Sequence, residues 1–176
     1  MGLDQNLYRK IYVKNWEHKE EKNEVILNGE IKDKAVYIID DAGYWRKANA
    51  IHRWFVENVQ DGEDNCGEYK VERKQLEELL DRVNQVLAKS KMVKGKVVNG
   101  QIIKDGKMED ILEEGEFIED NILAQKLLPT TSGFFFGGTN YDQYYIDDLK
   151  HTKEIIEECL KDKEDFNVSY YYSSSW

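Results

Sequence analysis

The sequence predicts a single α+β domain, in which a mostly antiparallel sheet is covered by about three helices and interrupted by a β-hairpin insertion. Three observations carry that reading. Strand-like runs stand near the start (Leu3 to Val13) and the end (Phe166 to Tyr172) of the chain. Between them lie three segments whose apolar residues recur at three- and four-residue steps, as on one face of a helix. Residues 90–118 instead hold short apolar runs divided by the turn dipeptides Asn99-Gly100 and Asp105-Gly106. Strands and helices do not alternate regularly and no G-x-G-x-x-G is present, which argues against a doubly wound parallel sheet.

Each element has its own local reason. Leu3, Leu7, Tyr8, Ile11, Tyr12 and Val13 lack helical spacing and read as a strand. Val25-Ile26-Leu27, Asn28-Gly29 and Glu30-Ile31 form a small hairpin, because Asn-Gly suits a type I′ turn. Ala35 to Ile39 fits either a strand or a lead into a helix. From Tyr44 to Asn58, the series Tyr44, Ala48, Ile51, Phe55 and Val59 predicts one buried helical stripe, capped by Asp40 or Asp41 and ended by Asp61-Gly62. The segment DGEDNCGEYK reads as a loop. A second helix over Glu72 to Lys89 turns Leu76, Leu79, Leu80, Val83, Val86 and Leu87 inward. After the 90–118 insertion, whose EEGE end is expected to be mobile, a short helix over Asn121 to Leu128 stops at Pro129. Phe134-Phe135-Phe136, with glycines on either side, reads as a core strand, and Tyr141 to Lys161 as the third long helix. In the final SYYYSSSW, Tyr170 and Tyr172 are expected on one face, Tyr171 on the other, and Trp176 against the body or at an interface.

Composition bounds the function. The chain has 176 residues, one proline, and an aromatic fraction of 12%, too high for a disordered acidic segment. Net charge is −10, which argues against non-specific nucleic-acid binding. The excess lies after residue 60, since residues 1–60 hold ten basic and ten acidic side chains. An anionic ligand is therefore expected to meet the first third of the chain. Cys66 and Cys159 read as a loop thiol and a helix-core thiol rather than a disulfide. No metal spacing surrounds His18, His52 or His151, so neither a metal nor a cofactor is expected. Met1 to Asn6 carries no basic and apolar leader, and no stretch approaches the ~18 apolar residues of a membrane span, so a cytoplasmic protein is expected.

The candidate site residues come from two segments. On the expected first helix, Arg46, Asn49 and Arg53 fall on one face, with Trp45 and Trp54 nearby. Arginine forks suit phosphate or carboxylate, and an indole stacks on a base or a guanidinium. The competing reading is a surface face with an Arg53–Glu57 pair. Thr130, Thr131 and Ser132 supply hydroxyls at a pocket rim, with Tyr141 or Tyr144 as a wall. This is no Walker A loop, which needs a lysine and a helix directly after its glycines. His52, at the border of the stripe, is the one acid–base candidate, with no serine or cysteine offered as its nucleophile.

MGLD at the start, GYWRKANAIHRWFVENVQDG with Cys66-Gly67-Glu68-Tyr69, LLPTTSGFFFGGTNYDQYY and the closing YYYSSSW resemble a family of small, functionally unassigned proteins of bacteriophages and prophages. The likeness covers most of the chain outside 90–118, with Gln5-Asn6 departing from the family's opening. It implies a phage or mobile-element setting and the cytoplasm of an infected bacterium, and no reaction. The leading expectation is a non-enzymatic accessory protein, in one version a counter-defence protein, that binds a host protein or a small anionic, nucleotide-like ligand. The alternatives are an enzyme on a phosphate-containing or nucleotide substrate, with His52 as acid/base and Arg46 and Arg53 as clamps, and a homodimer built through the aromatic C-terminal run.

Overall fold

A computed structural model describes residues 2–18, 20–104, 106–162 and 165–176. Its central sheet has four antiparallel strands: β1 (Asp4–Tyr12), β4 (Tyr37–Arg46), β5 (Glu68–Val71) and β8 (Val168–Ser175), in the order β4-β1-β8-β5. The hairpin β2 (Ile26–Leu27) and β3 (Glu30–Ile31) turns on Asn28 and Gly29, both at positive φ, as a type I′ turn requires. A second hairpin pairs β6 (Met92–Lys104) with β7 (Lys107–Ile118). Among the described residues the helices are α1 (Asn49–Asn58), α2 (Arg73–Lys89), α3 (Ile122–Leu127) and α4 (Gln143–Lys161). The α+β class and the hairpin insertion stand as the sequence predicts.

The core lies between the sheet and α1, α2 and α4. Leu7, Trp45, Val71, Tyr170 and Tyr172 point from the strands onto Ile51 and Phe55 of α1, Leu76, Leu79 and Val83 of α2, and Leu149, Ile156 and Cys159 of α4. Tyr172 stacks on Phe55 with ring centroids 3.9 Å apart. Gly43 lets α4 approach β4, because a Cβ there would fall 2.5 Å from Ile155 Cγ2. As expected, Tyr170 and Tyr172 face inward, Cys159 is buried and Cys66 is exposed.

Several expectations are corrected. The segment 44–46 is strand, not helix: exposure alternates over Tyr44, Trp45 and Arg46 as on a pleat, Lys47 takes a φ of +62°, and the helix begins only at Asn49. The spacing of Tyr44 to Ala48 and Ile51 matches a helix by coincidence. Phe134 to Phe136 form a turn rather than a strand. Phe135 stands at φ +62°, and Gly133 is where the Phe136 ring folds back, since a Cβ there would meet that ring at 2.5 Å. Residues 68–70, read as loop, belong to the edge strand β5. EEGE lies within β7, and Asn99-Gly100 marks a bulge in β6, not a turn. Of the other turn signal, Asp105 lies outside the described residues.

Candidate functional site

The loop 130–139 runs over the N-terminal half of α1, and one side chain holds it there. Asn49, buried at the start of α1, donates from Nδ2 to the carbonyls of Phe136 (3.2 Å) and Gly138 (2.7 Å) and accepts from the Thr131 N–H at Oδ1 (3.0 Å). Thr130 adds a bond from Oγ1 to the Thr139 carbonyl (2.9 Å), and its N–H donates to the Tyr141 hydroxyl (3.2 Å). The loop is thereby pinned at both ends, and its tip is presented to solvent. Phe134 is 77% and Phe135 51% exposed, with the two rings edge-on at 4.2 Å.

Beside this loop opens a cleft of about 650 Å³ bounded by His52, Arg53, Asp64, Thr131, Phe136 and Trp176, with Ser132 and Phe134 on its rim. His52 forms its inner wall and is 1% exposed. Its Nδ1 lies 2.9 Å from the Tyr172 hydroxyl and its Nε2 3.0 Å from Asp64 Oδ2. Gln5 donates to the Ala48 carbonyl (3.1 Å) and accepts the Tyr172 hydroxyl hydrogen (2.9 Å), which fixes that hydroxyl beside His52 Nδ1. Burial raises the Tyr172 hydroxyl well above the ordinary phenol range, which keeps that hydrogen in place. Asp64 Oδ1 accepts from Trp176 Nε1 (2.9 Å), fixing the last indole against the Phe136 edge.

The candidate residues therefore separate. Arg53, Thr131 and Ser132 meet in one cleft together with His52. Asn49, Thr130 and Tyr141 build the loop beside it and have their polar atoms engaged in doing so. Trp45 belongs to the core, donating to Thr152 Oγ1 at 2.9 Å, and Trp54 is buried rather than placed on a polar face. Arg46, on β4, projects near Asp4, with Nε 4.0 Å from the carboxylate, and takes no part in the cleft. An arginine pair across Arg46 and Arg53 does not form, because a strand end and a helix replace the single expected helix. Arg53 does pair with Glu57 (2.7 Å), and its Nη1 reaches the Thr130 carbonyl at 3.5 Å. His52 has both nitrogens occupied, which leaves neither to face a substrate in the cleft. β8 is paired on both edges, so its aromatic run has no edge left for a second copy.

Sequence reasoning missed Asp64 and the cleft roles of Phe134, Phe136 and Trp176. Asp64 lies in an acidic loop with no distinguishing pattern, and its partner Trp176 is 112 residues away.

No family model, curated protein or solved structure matches this chain. Its own geometry is what bears on function. Among the described residues, no helix is long and apolar enough to cross a membrane and no group of three His, Cys, Asp or Glu is placed to hold a metal ion.

Proposed function

We propose that this chain is a non-enzymatic accessory binding protein of the bacteriophage type, acting by docking a host protein at the cleft between α1 and the 130–139 loop. The observation that carries this is the presentation of Phe134 and Phe135. Two large apolar rings are exposed on a loop fixed by Asn49, with Phe135 at a positive φ, beside an open cleft walled by Phe136 and Trp176. Exposed aromatic anchors on a pre-ordered loop lose little entropy on binding and are the residue type that dominates interface energetics. Counter-defence is the setting in which such capture serves a phage.

The test is affinity capture by the full chain from bacterial lysate, repeated with Phe134→Ala/Phe135→Ala. The expected outcome is a partner held by the parent chain and lost from the double variant, with circular dichroism unchanged. Equal recovery by both chains, or recovery by neither, overturns the reading. Arg53, with the Thr131 and Ser132 hydroxyls across the same cleft, favours a second reading, in which a nucleotide-like ligand occupies it. Native mass spectrometry against a nucleotide panel tests that reading, with Arg53→Ala expected to abolish any adduct.

A further inference from the structure

On the other side of Arg53 lies a second cleft, of about 410 Å³, between α1, α2 and α3. Its walls carry Arg53 from α1, Arg82 from α2 and Lys126 from α3, against the single carboxylate of Glu57. Each charge is placed by its helix, and in a protein of net charge −10 this is a local positive field. Glu57 is already held by Arg53 Nε, and Arg82 holds Glu78 (2.6 Å) with one nitrogen while another reaches the Leu127 carbonyl at 3.5 Å. The guanidinium planes are thus oriented and keep donors in reserve.

The deciding feature is Trp54. It lines this cleft, is 2% exposed, and its buried indole Nε1–H has no hydrogen-bond partner among the described residues. An indole N–H only donates, and a buried donor without an acceptor carries a desolvation cost that an arriving oxygen acceptor offsets. We infer that the cleft between α1, α2 and α3 binds an organic oxyanion, one oxygen of which accepts from Trp54 Nε1–H while Arg53, Arg82 and Lys126 neutralise its charge. A carboxylate and a phosphate monoester share this chemistry, and the volume leaves room for the group that bears it. The site shares Arg53 and Glu57 with the docking cleft, but Trp54, Arg82 and Lys126, on which the inference turns, lie outside that cleft.

The experiment follows the indole N–H resonances of the ¹⁵N-labelled full chain, with the Trp54 signal assigned by its loss in Trp54→Phe. Inorganic phosphate and acetate are titrated separately, each against sodium chloride at matched ionic strength. The expected result is a saturable displacement of the Trp54 signal by one or both anions, with the Trp176 signal, which reports the docking cleft, unmoved. The arm that saturates at lower concentration identifies the headgroup as tetrahedral or planar. Lys126→Gln, on exposed helix surface, and Arg82→Gln, half-buried beside it, each raise the midpoint about tenfold while leaving the circular dichroism unchanged. A displacement reproduced by chloride, one unaltered in both variants, or none with either anion overturns the inference. None of these results depends on whether a host protein is captured.

Discussion

At the scale of single residues, Asn49 shows how a polar side chain in a helical face turns out to be architecture. Its three hydrogen bonds tie the 130–139 loop to α1. Asn49→Ala leaves two carbonyls and one N–H without partners, and a loss of about 2 kcal/mol is expected. Thermal melts read the loss, and chymotrypsin should then cleave at Phe134 or Phe135 under conditions where the parent chain resists. Asp148 makes the opposite kind of contribution. Burial, with the nearby Asp147 and Asp142 charges adding to it, pushes its carboxyl up to about 7. Because the folded value lies above the unfolded one, the folded chain holds a proton that the unfolded chain releases, and stability falls as pH rises from about 4 to about 7. Asp148→Asn removes that dependence. It should be neutral near pH 3.5 and stabilising by about 2 kcal/mol at pH 8, as measured by denaturant unfolding at the two pH values. No sequence pattern marks Asp148 apart from Asp147. The difference is that Asp148 is half-buried on α4 whereas Asp147 is exposed.

Among elements, the β6–β7 hairpin divides into two parts with different roles. At its base, Val97 and Ile118 are buried and Met92 packs on the core, and the Glu119 N–H bonds the Lys91 carbonyl at 2.9 Å. Beyond Val97 the strands leave the body, and Ile102, Ile103, Ile111 and Leu112 are exposed. The part of the hairpin beyond Val97 is therefore the part whose loss the fold should tolerate best. Replacing residues 98–112 by Asn-Gly between the cross-strand neighbours Val97 and Glu113 should move the melting temperature by less than ~5 °C. Removing 92–118 should lower it well beyond that, through the loss of Ile118 and its neighbours. Elements whose periodicity and burial agree were legible: α2, α4, β1 and β8 all lie close to where their apolar spacing puts them. Those defined by a partner were not. β5 is four residues that become a strand only because β8 offers an edge, and Tyr44 to Arg46 extend β4 because β1 pairs with them. Such pairing lies outside any local window.

Across the whole molecule, the charge argument needs the same amendment. The first sixty residues are neutral and do supply Arg53, but the other cations of the small cleft, Arg82 and Lys126, come from the acidic remainder of the chain. Dividing the sequence into thirds cannot find a site assembled from all three. What was legible of the site was its residue types, arginine, hydroxyl and aromatic ring. What was hidden was which of them the packing would leave free. The strand order β4-β1-β8-β5 also has a temporal side. β1 and β5 share no edge, and β8 alone joins them. While a ribosome is still short of residue 168, β4 can zip to β1 but β5 has nothing to lie against, and His52 lacks the Tyr172 hydroxyl that orients its ring. Vectorial synthesis therefore leaves a half-sheet with Leu7 and Phe55 uncovered until the final strand is threaded in. That interval is when a chaperone would find most to hold.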